Sequence, residues 1–97
     1  MTNRPIELKD TVDLMLSDDY KDRFLAEYYQ AHIRFKRLFD IVNKYNRGSL
    51  DFEPNCPVSL LNMQLHHMSN YLLMLERRAE VEGIELREAE NEQNDNR

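Results

Sequence analysis

The sequence predicts a small all-α protein: an antiparallel hairpin of two long helices, preceded by a short N-terminal helix. Apolar residues recur at steps of three and four through two stretches, from about Asp18 to Tyr45 and from about Pro57 to Glu82. This is the spacing of one helix face. The connection of roughly ten residues contains a glycine and a proline, so the chain turns there and the two helices lie side by side.

The N-terminal helix is predicted from Leu8, Val12, Met15 and Leu16, which follow one another at i, i+4, i+7 and i+8. That spacing indicates an amphipathic helix of about two turns. Because so short a helix is unstable alone, we expect it to dock on the hairpin.

The first long helix is expected to start at Ser17-Asp18-Asp19, where Ser17 caps free amide groups and the aspartates favour the positive end of the helix dipole. It ends at residues 46–49, around Gly48. Its apolar face is Phe24, Tyr28, Ala31, Phe35, Leu38, Val42 and Tyr45.

The second long helix starts at Pro57, which suits a first helical turn, and ends at Gly83, with Ile84 folding back on the last turn. Its apolar face is Val58, Leu61, Leu65, Met68, Leu72, Leu75 and Ala79. Leu50 and Phe52 in the connection are expected to cover the open end of the hairpin. Residues 1–86 form one helical domain by this interpretation, and residues 87–97 are a polar, acidic, disordered tail.

Composition excludes several classes of protein. The chain has 97 residues, 41% hydrophobic and 32% charged, as in an ordinary globular protein. No apolar run approaches the ~20 residues of a membrane span, and the N-terminus has no hydrophobic signal core, so a cytoplasmic location is expected. Cys56 is the sole cysteine, which leaves no intrachain disulfide.

No motif of cofactor or metal chemistry is present. The sequence has no phosphate-binding loop, dinucleotide turn, nucleophile elbow or zinc-protease motif, so we expect neither an enzyme nor a cofactor. His66 and His67 are adjacent, and adjacent helical residues point about 100° apart, so they cannot share one ion. We expect a partly buried His67 and a solvent-facing His66.

The first long helix is basic in an otherwise acidic chain. Residues 21–47 carry seven basic and three acidic side chains, although the whole chain has a net charge of −5. Arg23, Arg34 and Arg37 lie broadly on one outer side, and with Tyr29 they are the candidate ligand-binding residues, because arginine binds phosphate through paired donors. The alternative is a solvated helix face. General DNA binding is not expected of a net-acidic chain.

Both long helices have more apolar surface than the hairpin seam uses. Leu60, His67, Tyr71 and Met74 flank the seam on the second helix, and Leu25, Tyr29 and Ile33 flank it on the first. The N-terminal helix covers one flank, and a second copy of the chain is expected to cover the other. We therefore predict a homo-oligomer, with a three-helix monomer as the alternative. The candidate interface residues are Leu25, Tyr29, His67, Tyr71 and Met74.

Three segments resemble a family of small phage and prophage proteins related to a protein of crAss-like phages. They are SDDYKDRFLAEYYQ (17–30), DFEPNCP (51–57) and LERRAEVEGIEL (75–86), within a resemblance that covers roughly residues 7–86. The function of that family is unknown, and no catalytic residue comes with the resemblance. In layout the chain is also similar to the anti-CBASS and anti-Thoeris sponges, phage helical-hairpin proteins that bind cyclic nucleotide signals.

The resemblance implies a non-enzymatic phage or prophage accessory protein in the cytoplasm of the bacterial host cell. The first hypothesis is counter-defence by binding a nucleotide signal, such as a cyclic nucleotide or an ADP-ribose derivative. The second is inhibition of a host defence protein by direct binding, as anti-CRISPR proteins do. The third is a structural or assembly role in the phage.

Overall fold

The computed structural model describes residue 5 and residues 7–86, and it confirms the all-α prediction. A 3₁₀ helix, Leu8–Thr11, leads directly into the short helix α1, Val12–Met15. The two long helices are α2, Tyr20–Asn46, and α3, Val58–Glu82. Both begin within about two residues of their predicted starts. The predicted tail, residues 87–97, lies outside the described residues.

The long helices are antiparallel. The Tyr20 hydroxyl donates to Glu82 Oε1 at 2.9 Å, and the Tyr28 hydroxyl donates to Glu76 Oε2 at 3.1 Å. As the residue number on α2 increases from 20 to 28, the number of its partner on α3 decreases from 82 to 76, as in an antiparallel hairpin.

The core is concentrated at the end of the hairpin that holds the start of α2 and the end of α3. The buried cluster there is Phe24, Tyr28, Tyr29, Leu72, Leu75, Ala79 and Ile84. Toward the connection the seam residues are mostly half-buried, among them Phe35 and Leu65. Tyr45, which the periodicity placed in the seam, is 42% exposed because it lies at the very end of α2.

The buried face of the N-terminal segment, residues 7–16, differs from the prediction. Met15 and Leu16 are 45% and 71% exposed, whereas Thr11 is fully buried and Leu14 packs against the core. The reason is the 3₁₀ geometry of Leu8–Thr11, which has three residues per turn and so aligns residues three apart.

The N-terminal segment packs on α2. On α2, the side chains of Ala26, Tyr29 and Ile33 are buried, with 2%, 3% and 6% of their surface exposed. Thr11 Oγ1 accepts a hydrogen bond from Gln30 Nε2 at 2.8 Å and joins the segment to α2. The apolar flank of α2 is thus covered within the chain, and the flank of α3 is left open.

The helix ends follow known capping chemistry with one correction. Asp19, not Ser17, caps α2: its carboxylate accepts from the Lys21 amide at 3.0 Å. At the end of α3, Gly83 has φ +71°, a left-handed conformation that glycine adopts without strain. The following amide, of Ile84, donates to Ala79 O at 2.9 Å, and Ile84 is buried as predicted.

The connection between the long helices closes the hairpin only in part. Leu50 is half-buried, in agreement with the prediction. Phe52 is 54% exposed, so its predicted position over the open end is wrong.

Candidate ligand-binding site

A groove lies along one side of the hairpin, between α2 and α3. Glu27, Gln30, Ala31 and Arg34 form its α2 wall, and Met68 and Tyr71 form its α3 wall, around a volume of about 240 Å³. The α2 residues are spaced at i, i+3, i+4 and i+7, so they project from one helix face. The groove therefore combines charged, amide, aromatic and thioether groups.

A hydrogen bond joins the two walls. The Tyr71 hydroxyl donates to Glu27 Oε2. This bond to a carboxylate, helped by partial desolvation, raises the pKa of Tyr71 to about 12. The Tyr71 hydroxyl therefore stays neutral, and able to donate a hydrogen bond, across the physiological pH range. One of the two carboxylate oxygens of Glu27 accepts this bond.

Arg34 is the basic group of the groove, and its charge is not neutralised within the described part of the chain. It is exposed, and the same holds for Arg37 one turn further along α2. The salt bridges of the described residues lie elsewhere, between Lys9 and Glu7 and between Arg78 and Glu82. Both arginines therefore keep their full hydrogen-bonding capacity for an anion.

Other arginines of the hairpin already have partners in the fold. Arg23 Nη1 donates to the carbonyl oxygen of Ser17 at 2.8 Å. Arg78 donates to the Tyr20 hydroxyl at 2.9 Å and lies 4.9 Å from the centre of the Phe24 ring. The bond to Tyr20 raises the pKa of Arg78 above its ordinary value. Part of the hydrogen-bonding capacity of Arg23 and Arg78 is therefore used within the fold.

The groove adjoins the basic half of α2 at Arg34. Residues 34–47 carry five basic side chains and one acidic side chain, a net charge of +4. The hairpin sets this half beside the first half of α3, which has no charged residue. The positive potential at this end is therefore not cancelled by the neighbouring helix, and it favours an anion.

The predicted site of Arg23, Tyr29, Arg34 and Arg37 is not assembled as one surface. Tyr29 is 3% exposed, so its ring has no free face for a ligand base. Tyr29 and Arg34 are five residues apart on one helix, which places them about 140° apart. Of the four candidates, Arg34 lines the groove, Arg23 and Arg37 are exposed outside its lining, and Tyr29 is buried.

The candidate interface residues are also divided by the structure. Leu25 packs against the core cluster and Tyr29 belongs to it. Tyr71 and Met74 are 44% and 51% exposed on α3, where His67 is exposed as well. Of the two predicted apolar flanks, the one on α3 is therefore the exposed one.

Sequence reasoning missed Glu27, Gln30 and Met68 as groove residues. Glu27 and Gln30 share one face of α2 with Arg34, and that spacing was a usable signal. The residues of the opposite wall were not predictable in the same way. Met68 and Tyr71 face the α2 residues because of the register of α3 against α2, which the spacing within one helix does not specify.

The two adjacent histidines, His66 and His67, lie side by side on the exposed part of α3. Their ring centres are 5.9 Å apart at a 67° angle, and both side chains are exposed. The expected partial burial of His67 is wrong, because it points to the uncovered flank of α3. Within residues 7–86, no group of three or more potential ligand side chains gathers.

The fold and groove define a class: a small hairpin of two long helices with an open groove and an unneutralised basic end. A family model named Sequestin matches residues 18–81. Since this is about two thirds of the chain, the protein belongs to the Sequestin family. The match spans α2, the connection and α3, and so includes both walls of the groove.

Comparison with curated proteins and with solved structures finds no match. Among the helices that the structure describes, none is long and apolar enough to span a membrane.

Proposed function

We propose that this protein sequesters an anionic, nucleotide-type signal without changing it chemically, and that it serves a phage or prophage in counter-defence. The observation that carries the proposal is the Sequestin match, a family name that denotes sequestration. The matched residues form both walls of the groove, so the family-wide part of the chain is also the part that can hold a ligand.

The groove residues supply the groups that a nucleotide needs. Arg34 offers a planar pair of donors that matches phosphate oxygens. The second oxygen of Glu27 accepts from a sugar hydroxyl or a base amine. The Tyr71 ring and the Met68 thioether supply apolar, polarizable surface for the base.

The charge pattern supports an anionic ligand in particular. The chain as a whole is acidic, yet Arg34, Arg37 and Lys44 lie in a segment, residues 34–47, of net charge +4. A local positive field in an acidic protein attracts a small anion without general affinity for nucleic acid.

Calorimetric titration with cyclic dinucleotides, cyclic trinucleotides and ADP-ribose tests the proposal. At least one of these ligands is expected to bind, and Arg34→Glu is expected to abolish the heat. Lys36→Glu is the matched control, since it makes the same charge change two residues away, on another side of α2. Absence of binding by the whole panel, or an equal loss in both variants, would contradict the proposal.

The non-enzymatic part needs a separate measurement. After incubation with an excess of protein, the bound ligand is released by heating and analysed by chromatography. Unchanged ligand in full yield is the expected result. A converted product would show catalysis instead of sequestration.

A second candidate is inhibition of a host defence protein by direct binding. The specific observation in its favour is the exposed apolar surface of α3, where Leu60, Met63 and Met74 are each more than 50% exposed. Surfaces of this kind mark protein interfaces. A protein that binds none of the nucleotides and remains monomeric would favour this function.

A further inference from the structure

The first eighteen residues of α3, Val58 to Leu75, contain no Asp, Glu, Lys or Arg, although the chain has 31 such residues among its 97. Solvated helix faces are normally charged. The stretch also holds three of the five methionines of the chain, and depletion of charge together with enrichment in methionine is typical of a protein interface. The composition therefore separates this stretch from an ordinary exposed helix.

Four of the five large apolar side chains exposed in this stretch lie along one stripe, which we call the outer stripe, and the fifth, Leu73, lies on another side of the helix. Leu60, Met63, Tyr71 and Met74 are 54%, 58%, 44% and 51% exposed, and His67 between them is exposed too. The stripe runs for roughly 21 Å along the helix, at 1.5 Å per residue. A shallow depression of about 550 Å³ lies on it.

The spacing of the outer stripe is the same in both directions. From Leu60 the steps are three, four, four and three, so the stripe is symmetric about His67. An antiparallel copy of the helix, related by a two-fold axis at His67, places Leu60 against Met74 and Met63 against Tyr71. A two-fold interface uses the same patch on both chains, and a symmetric stripe satisfies that condition.

The antiparallel orientation also follows from charge. The uncharged stretch is centred near His67, so an antiparallel copy overlaps uncharged surface with uncharged surface. In a parallel pair, Arg77 and Arg78 of the two copies would lie side by side, and like charges in contact are unfavourable. The seven-residue interval from Leu60 to His67 to Met74 is the repeat by which helices pack over several turns.

The groove supplies the functional reason for a second copy. Its volume of about 240 Å³ falls below the ~300 Å³ at which small-molecule sites begin. Met68 and Tyr71 line both the groove and the depression on the outer stripe. A helix seated on the stripe therefore adds a wall to the groove.

We propose that two copies of this chain pair through the outer stripe, antiparallel about His67, and that each copy completes the groove of the other. The statement about the groove rests on the proposed function, whereas the pairing stands by itself. Met63 of the second copy then lies next to Tyr71 and shields the edge of the ligand from water.

Light scattering without ligand tests the pairing. The expected mass is twice the 11.7 kDa of one chain. Met74→Glu is expected to reduce it to that of one chain with unchanged helicity, because the residue is exposed in the monomer. Leu73→Glu is the matched control, since it lies one residue away on another side of the helix and is 42% exposed. A wild-type monomer, or a dimer that persists in Met74→Glu, would overturn the pairing.

Thiol crosslinking tests the orientation in a Cys56→Ser background. A short crosslinker should join two chains through His67→Cys, and should join Leu60→Cys to Met74→Cys when the two variants are mixed. Leu60→Cys alone should not link to itself, because its copies would be roughly 21 Å apart along the axis. Efficient linking of Leu60→Cys to itself would show a parallel pair and refute the symmetry about His67.

Titration of Met74→Glu with the nucleotide panel tests the link to the groove. Loss of most of the ligand heat in this monomeric variant, with retention in Leu73→Glu, supports a groove completed by the second copy. Unchanged binding by the monomer overturns that link and leaves sequestration standing. A wild-type dimer that binds no nucleotide supports the pairing and contradicts the proposed function.

Discussion

Leu75 is the side chain whose truncation tests the described core most directly. It is 1% exposed and belongs to the cluster that contains Phe24 and Tyr28. Leu75→Ala removes three carbon atoms, which corresponds to a transfer free energy of about 2.4 kcal/mol at ~0.8 kcal/mol each. The aromatic neighbours are large and cannot collapse fully, so a cavity contribution of about 1 kcal/mol is added.

The expected loss of unfolding free energy is therefore about 3 kcal/mol, or a fall in Tm of about 12–24 °C for a chain of this size. Urea denaturation followed by circular dichroism measures it. Both variant and parent are studied at one protein concentration, because pairing of copies would raise the apparent stability.

Leu73→Ala is the control for this measurement. Leu73 is the same residue type on the same helix, but it is 42% exposed. Its truncation is expected to change stability by less than about 0.5 kcal/mol. Equal effects of the two truncations would mean that the face of α3 that packs on α2 has been misassigned.

Three further variants test individual contacts. Because the pKa of Tyr71 is raised, its hydroxyl stabilises the fold below pH 10 and loses this effect as the pH rises to about 12. Tyr71→Phe should therefore remove this loss of unfolding free energy at alkaline pH. At neutral pH the variant should lose less than about 1 kcal/mol of unfolding free energy, since the bond to Glu27 is exposed. Gly83→Ala should lower the unfolding free energy by about 1 kcal/mol and so lower the Tm, because Gly83 has a φ of +71°. The added carbon has free space around it, so the loss comes from the backbone conformation alone. Gly83→Asn should lose less, since asparagine adopts this conformation more readily. Thr11→Val should lower the unfolding free energy by about 1 kcal/mol, because it removes the hydrogen bond from Gln30. Amide hydrogen exchange should accelerate in the N-terminal segment but not in α3.

The Tyr71 result has a clear failing outcome. A Tyr71→Phe variant that retains the same loss of stability at high pH would show that another group titrates there. For Thr11, unchanged exchange in the N-terminal segment would show that the bond to Gln30 does not hold the segment on α2.

The two long helices and their ends were predictable from the sequence by itself. Periodic apolar residues define a helix face wherever the helix is long, because each additional turn repeats the same pattern. The stop at Gly83 and the return of Ile84 were predictable for a local reason, since a left-handed residue after a helix is a preference of glycine. The excess of apolar surface beyond the seam was visible for the same reason as the seam.

The tertiary structure decided which of the apolar flanks is covered. The sequence predicted two, and the N-terminal segment covers the one on α2 because Thr11 meets Gln30 there. This burial removed Tyr29 from the candidate ligand site and left Tyr71 exposed on α3. The short 3₁₀ helix also changed which residues of the segment face the core, an effect of local helix type that apolar spacing does not encode.

The same distinction separates the arginines. Arg23 and Arg34 are equivalent in the sequence, as basic residues on the outer side of one helix. Only the tertiary structure shows that Arg23 donates a hydrogen bond to the carbonyl oxygen of Ser17, whereas Arg34 lines a groove with Tyr71 on the opposite wall. A helical pattern specifies the direction in which each side chain leaves its own helix, but the partner that it meets depends on the register and contact between segments distant in the chain.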